Sequence, residues 1–323
     1  MTRVVKVQFF ADRIRLDGTL FLPDGAEDSP SPAVVFCHGF AATQEYVADD
    51  IAKSLARQGI AVLTFDHRGF GQSEGIKWRL LPLEQVEDIR SALVFLQTLP
   101  EIDPERVGLY GISFGGAHAL TVAAMEPSVK ATVSCVPFAD GRDWMRSMRR
   151  NWEWHDLLDR LDEDRRAAVV TGEYAEVDPD EILVRDPESR DWNEWLKQNF
   201  ESRGTYRLPL ESARAILDYS PIDTVDRVSN LLLIEAGLDT LVPREHIRDI
   251  YERAADPKKL VTLPDATHHD VYRKSHFDTV ANIAGAWLHE HLRALPQCRS
   301  SHRFGPVYIG LVVGDNDRIG KEG

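Results

Sequence analysis

Cysteine is scarce, with three residues, Cys37, Cys135 and Cys298, in a chain of 323. An odd number cannot all pair within one chain. The first two lie in apolar runs of strand type, so inert core thiols are expected rather than a disulfide framework. No apolar run approaches the roughly 20 residues that cross a bilayer, so no membrane association is expected. Met1 to Phe10 contains basic residues but no apolar stretch ending in small residues. No secretory signal is read there, and a cytoplasmic location is expected. Positive charge is also in short supply, with 38 Lys and Arg against 52 Asp and Glu, a net charge of -14. That field repels a phosphate backbone, so nucleic acid and extended anionic polymers are poor partners. A neutral or cationic small molecule fits better, and the sequence leaves a homo-oligomer open. Internal repeats and low-complexity tracts are absent.

What is present is an ordinary globular composition, 43% apolar and 28% charged. The length suits one large α/β domain, or a core carrying an insertion. Val4 to Phe10 and Ile14 to Leu22 alternate about Ala11-Asp12-Arg13, which predicts an antiparallel hairpin. A loop follows from Asp24 to Pro32. Short apolar runs then alternate with helical periodicity. Strands are predicted over Ala33–Cys37, Ala61–Phe65, Val107–Ile112 and Val129–Val136. Helices are predicted over Tyr46–Gln58, Leu83–Leu99 and Gly115–Met125. This rhythm implies βαβ units and a parallel sheet buried on both faces.

The rhythm stops at Pro137. From about Asp140 to Leu210 the chain is charged, mostly acidic, and shows no strong strand signal. It holds five of the seven tryptophans, Trp144, Trp152, Trp154, Trp192 and Trp195. Alternation returns with strands at Leu231–Ala236 and Leu260–Leu263 and helices at Glu245–Ala255 and Phe277–Leu295. The expected organisation is a core of residues 1–139 and 213–295, a helical insertion of 140–212 and a tail of 296–323. Within the tail, Pro306–Val313 reads equally as an edge strand or a disordered end.

The pattern Gly-x-Ser-x-Gly occurs twice, at Gly111–Gly115 and Gly71–Gly75. A nucleophilic serine needs a sharp strand-to-helix turn that lifts its hydroxyl off the sheet edge, with small neighbours in the tight backbone. Ser113 follows the run Arg106–Tyr110 and precedes the helical stretch Gly116–Leu120. That helix start also favours developing negative charge. Ser73 has neither a strand before it nor a helix after it, and reads as a turn residue. Context therefore selects Ser113.

Three segments in order, His38-Gly39-Phe40, Asp66-x-Arg68-Gly69-x-Gly71-x-Ser73 and Gly111-x-Ser113-x-Gly115-Gly116, resemble serine hydrolases of the α/β-hydrolase superfamily. Asp103-Pro104-x-Arg106 is similar to bacterial carboxylesterases and the prolyl-peptidase-like branch. The resemblance covers roughly residues 1–140 and 215–295. It implies the α/β-hydrolase fold, a mostly parallel eight-stranded sheet flanked by helices with an inserted helical lid. The family's chain order, nucleophile then acid then histidine, implies the remaining site. The base falls in Asp265-Ala266-Thr267-His268-His269-Asp270, after the last strand. The family's small-residue turn favours His268, with His269 as the alternative. The acid falls at Asp239, after Leu231–Ala236, with Glu235 a weaker candidate. The resemblance also implies an oxyanion hole from the N–H groups of Phe40 and Phe114. His38 is expected to hold its turn by hydrogen bonds. Adjacent histidines reach one ion poorly and no third ligand has useful spacing, so no metal site is read at His268-His269.

These residues imply hydrolysis of an ester or related acyl bond of a small to medium organic molecule through an acyl-enzyme. That chemistry needs no metal or organic cofactor. A small-molecule ester or amide is the expected partner. The alternatives are an amidase or exopeptidase with the same triad, or a non-catalytic binding protein on this fold. Trp152 and Trp154 in the insertion are expected to shape substrate binding.

Overall fold

The computed structural model describes residues 2–45, 48–199 and 206–293. The predicted helix start at Tyr46, residue Cys298 and the tail after Pro296 lie outside the described residues.

A hairpin opens the chain. Strands β1 (Arg3–Ala11) and β2 (Ile14–Leu22) pair antiparallel, and Asp12 and Arg13 turn at positive φ between them. The alternating units follow as β3 (Ser31–Cys37), α1 (Ala48–Arg57), β4 (Ala61–Phe65), α2 (Pro82–Thr98), β5 (Ile102–Ile112), α3 (Phe114–Met125) and β6 (Val129–Cys135). The chain then leaves the sheet for α4 (Gly141–Ser147), α5 (Asn151–Thr171), β7 (Glu176–Val177), α6 (Pro179–Ile182), α7 (Pro187–Asn199), β8 (Leu208–Pro209) and α8 (Glu211–Leu217). It returns through β9 (Leu231–Ala236), α9 (Arg244–Arg253), β10 (Lys258–Leu263) and α10 (Lys274–His291).

The eight-stranded sheet has the order β1-β2-β4-β3-β5-β6-β9-β10, and every pairing from β4 to β10 is parallel. The fold is that of an α/β-hydrolase. Its unbroken apolar strands are explained by the pleat. Ala33, Val35 and Cys37 join the core beneath α2 and α3, while Val34 and Phe36 join the core beneath α1 and α10. A period of two thus buries both faces at once. Cys37 and Cys135 are buried free thiols, and burial pushes Cys135 up to about 12.

Two details depart from the sequence reading. β5 begins at Ile102, five residues before the predicted strand, with Ser31 paired to Ile102 across a register shift. The insertion also holds a two-stranded ribbon, β7 with β8, where no strand was expected. Two-residue strands carry no periodicity to read.

The sheet order fixes where a site can form. From β3 the chain goes to β4 on one side, and then crosses to β5 on the other. This is a topological switch point, and ligands bind beyond the carboxyl ends of strands at such points.

Candidate active site

Cys37 pairs with Gly111 across β3 and β5, so the turns His38-Gly39-Phe40 and Ile112-Ser113-Phe114 emerge side by side. Ser113 sits at φ 53 and ψ -119, a conformation that costs a non-glycine residue about 1–3 kcal/mol. The turn is held by Ser113 N–H donating to the Cys135 carbonyl at 2.8 Å and Gly116 N–H donating to Ser113 at 2.9 Å. Its glycines are steric necessities. A Cβ at Gly111 would lie 2.2 Å from the Gly115 carbonyl oxygen, and one at Gly115 would lie 2.1 Å from that of Cys37.

Ser113 Oγ lies 2.9 Å from His268 Nε2, and His268 Nδ1 lies 2.7 Å from Asp239 Oδ2. An ionised carboxylate only accepts, so Nδ1 carries the proton and Nε2 is left to accept from the serine hydroxyl. Asp239 is fixed from behind, its Oδ1 accepting from the N–H groups of Leu241 and Val242 at 2.8 and 2.9 Å. The acid loop is tied to the histidine loop by Leu238 N–H donating to Ala266 at 2.9 Å. Trp144 braces the same loop, with Nε1 donating to the Leu241 carbonyl at 3.0 Å. Both side chains of the His268–Asp239 pair are buried.

The Phe40 and Phe114 rings meet edge to face at 5.9 Å. Among the described residues neither backbone N–H has a hydrogen-bond acceptor. Phe40 lines a cavity with Ser113 and His268, while the Phe114 ring packs on Phe138, Trp144 and Tyr219. His38 is buried beneath this turn. Burial and the neighbouring His67 lower it to about 3, against a hydrogen bond with the Phe65 backbone.

The other candidates are placed elsewhere. The Ser73 hydroxyl donates to the Asp66 carbonyl at 2.6 Å and accepts from Asp17 N–H at 2.9 Å, so it staples a turn to β2. Glu235 is gripped by Arg244 through two 2.9 Å bonds and by Thr262 at 2.7 Å. His269 points away from Ser113, with Nε2 at 2.9 Å from Ser189 Oγ and Nδ1 at 2.5 Å from Tyr272 OH. Burial first, then His268, Arg273 and Arg185, push His269 down to about 2.

The tryptophan expectation needs correction. The cavity measures about 70 Å³, and the tryptophan lining it is Trp192, beside Leu183, Arg185 and Leu196 from the insertion. Trp152 is 64% exposed, and Trp154 is buried in the apolar core with Leu157 and Leu161. Neither is among the lining residues. A readable signal existed. On α7, Ser189, Asn193 and Leu196 form a buried stripe at helical spacing, with Trp192 beside it, three residues after Ser189. On α5 the stripe Trp154, Leu157, Leu161 leaves Trp152 on the outer face.

α7 is fastened to both loops through neighbours of the triad. Asp186, just before α7, meets Thr240 Oγ1 at 2.5 Å, and Glu188 accepts from Thr267 Oγ1 at 2.7 Å. Ser189 meets His269 as above. Arg273 lies 4.6 Å above the Trp192 ring, a cation–π contact.

Comparison with known proteins agrees with this arrangement of strands and helices. A family model described as serine aminopeptidase, S33, matches residues 28–275. An uncharacterized 31.7 kDa protein of the traX-finO intergenic region of Escherichia coli is 31% identical over 276 residues, 85% of this chain and 95% of that one. Thiohydrolase aneE of Aspergillus aculeatus is 27% identical over 295 residues, 85% of this chain and 89% of its own. Among solved structures, DcsB in complex with its substrate analogue superposes with a TM-score of 0.77 at 22% identity, covering 90% of this chain and all (100%) of that one. The chain belongs to the α/β-hydrolase superfamily, in the family described as serine aminopeptidase, S33.

Proposed function

We propose that the protein is a serine hydrolase that cleaves an ester or related acyl bond, thioesters included, of a small to medium organic substrate. The observation that carries this reading is the hydrogen-bonded line Ser113–His268–Asp239 behind a serine in a strained strand-to-helix turn. His268 Nε2 takes the serine proton as Oγ attacks the carbonyl carbon. Asp239 holds the imidazole in the productive tautomer and stabilises the imidazolium. The N–H groups of Phe40 and Phe114 receive the oxyanion, each worth roughly 3 kcal/mol in the transition state. His268 then gives the proton to the leaving oxygen or sulfur, and activates the water that releases the acid. The chemistry uses only groups of this chain and water.

The insertion is read as a lid that excludes water and selects the acyl group. The relative described as a thiohydrolase supports the inclusion of thioesters. An aminopeptidase must also hold a substrate ammonium, usually with a carboxylate. Among the described residues the ionic side chain lining the cavity is Arg185, which disfavours that alternative. No helix among the described residues is long and apolar enough to cross a membrane. A cytoplasmic location stays part of the proposal.

The test is a fluorophosphonate label followed by p-nitrophenyl acyl ester turnover. Ser113 is the expected site of labelling, and Ser113→Ala is expected to lose turnover by on the order of 10⁴-fold or more. Unlabelled Ser113 together with retained turnover in the variant would refute the assignment.

A further inference from the structure

Arg185 and Thr43 line the cavity beside Ser113 without a part in the triad chemistry. Arg185 lies in the link between α6 and α7, and its side chain is 7% exposed. Its Nε donates to Asp180 Oδ1 at 2.5 Å, and among the described residues no other hydrogen bond holds the guanidinium. A guanidinium has five N–H donors, so most are without a protein partner among the described residues. Thr43 lies in the turn after β3 on the opposite, core side. It is 1% exposed and lines the same cavity, and its Oγ1 has no partner among the described residues. Of the other polar side chains there, His268 is engaged with Ser113 and Asp239 and His269 with Ser189 and Tyr272, while His38 Nε2, deep beneath the turn before Phe40, also has no partner among the described residues. The remaining wall is chiefly apolar, from Leu183, Trp192, Leu196 and Leu241.

Burying the Thr43 hydroxyl unpaired is costly, and a half-used guanidinium beside it is a ready donor for an oxygen. A ligand oxygen accepting from both would remove that cost. The cavity of about 70 Å³ is small but open to solvent on one side, so short chains suit the test. We infer that the cavity takes a short acyl group bearing an oxygen acceptor, a carboxylate or a ketone, a few bonds from the scissile carbonyl, with Arg185 and Thr43 as its donors. This rests on the hydrolase reading of the same cavity. The reaction stays balanced, as one water and one such ester give an oxo acid or diacid and an alcohol. The inference also revises the expectation drawn from net charge, because a chain at -14 places a cation where the substrate is selected.

Three p-nitrophenyl esters of nearly equal shape separate the cases: pentanoate, 4-oxopentanoate and monosuccinate. For the wild-type protein, kcat/KM for at least one of the oxygenated esters is expected to exceed pentanoate by tenfold or more, because a buried donor left unpaired penalises the apolar analogue. Succinate leading identifies the carboxylate, and 4-oxopentanoate leading identifies the ketone. Arg185→Leu is expected to bring the ratio close to one. Arg185→Lys, which keeps the charge and loses the fork, leaves part of it. Thr43→Val lowers it independently, should Arg185→Leu fail to fold. Pentanoate preferred by the wild type, or a ratio unmoved in Arg185→Leu and Thr43→Val, overturns the inference while leaving the hydrolase reading intact. Calorimetric binding of monomethyl succinate, methyl 4-oxopentanoate and methyl pentanoate to Ser113→Ala decides the point without turnover. The same preference for an oxygenated ligand supports the pocket even if no ester is cleaved, and equal binding of all three refutes it.

Discussion

His269→Gln isolates the histidine that lies next to the proposed base, His268, and makes different contacts. The wild-type ring is 5% exposed and bonded at both nitrogens, to Ser189 and Tyr272. Burial first, then the charges of His268, Arg273 and Arg185, push it from an ordinary value near 6.5 down to about 2. The folded protein therefore keeps it neutral where the unfolded chain protonates it. Between those two values the unfolded state binds the extra proton, so stability falls as pH falls. Full stability from this source is present above about pH 6.5, and each unit below removes about 1.4 kcal/mol. From pH 7.5 to 4.5 the loss assigned to His269 is roughly 2–3 kcal/mol. Glutamine does not titrate, and it keeps one of the two hydrogen bonds at best. The variant should be about 1–3 kcal/mol less stable at pH 7.5, where Ser189 or Tyr272 is left unpaired. It should then lose less than wild type on acidification, so the gap narrows or closes at pH 4.5. Urea unfolding at the two pH values, followed by tryptophan fluorescence, reads both numbers. The buried His38 and His118 titrate the same way in both proteins, and cancel in the difference. An unchanged gap at the two pH values would refute a neutral, buried His269.

Two further outcomes follow from geometry. Ser73→Ala should keep most ester turnover and cost about 1–3 kcal/mol in unfolding free energy, since Asp17 N–H loses its acceptor; a loss of turnover matching Ser113→Ala in a folded protein would count against the choice of nucleophile. Trp192→Ala should shift the kcat/KM ratio of a bulky aromatic ester to an acetate ester, whereas the exposed Trp152→Ala should leave that ratio at the wild-type value; the opposite pattern would restore Trp152 to the pocket.

The sheet and nucleophile turn were legible because their signals are local. Ala33–Cys37 is apolar at every position since both faces are covered, and strand, glycines and helix stand in order around Ser113. Chain order pointed to Asp239 after β9 and His268 after β10, and those two side chains lie 2.7 Å apart. His268 and His269 are identical in composition and context, and only the family's turn separated them; in space one faces Ser113 and the other Ser189. The buried stripe on α7 was legible in principle, but its place in the cavity wall was not. Trp152 and Trp154 drew attention by number and proximity, while the cavity is closed by Leu183, Arg185, Trp192 and Leu196. Those contacts depend on how α7 docks on loops more than forty residues later in the sequence, and no short window of sequence holds that information. A charged residue such as Arg185 also reads by default as solvated, because its burial is created by the fold.

The parallel pairing of β6 directly with β9 has a consequence for how such a chain can change. Thr132 lies beside Leu231, so the sheet closes as though everything from α4 to α8 were a single long loop. The entropy of closing a loop rises only slowly with its length. The intervening stretch can therefore be lengthened, shortened or exchanged without moving the strands that carry Ser113, Asp239 and His268 at their ends. New specificity can arise by replacing one contiguous cassette, provided the substitute re-forms its fastenings at Thr240, Thr267 and His269. Those three side chains are the sockets of the joint.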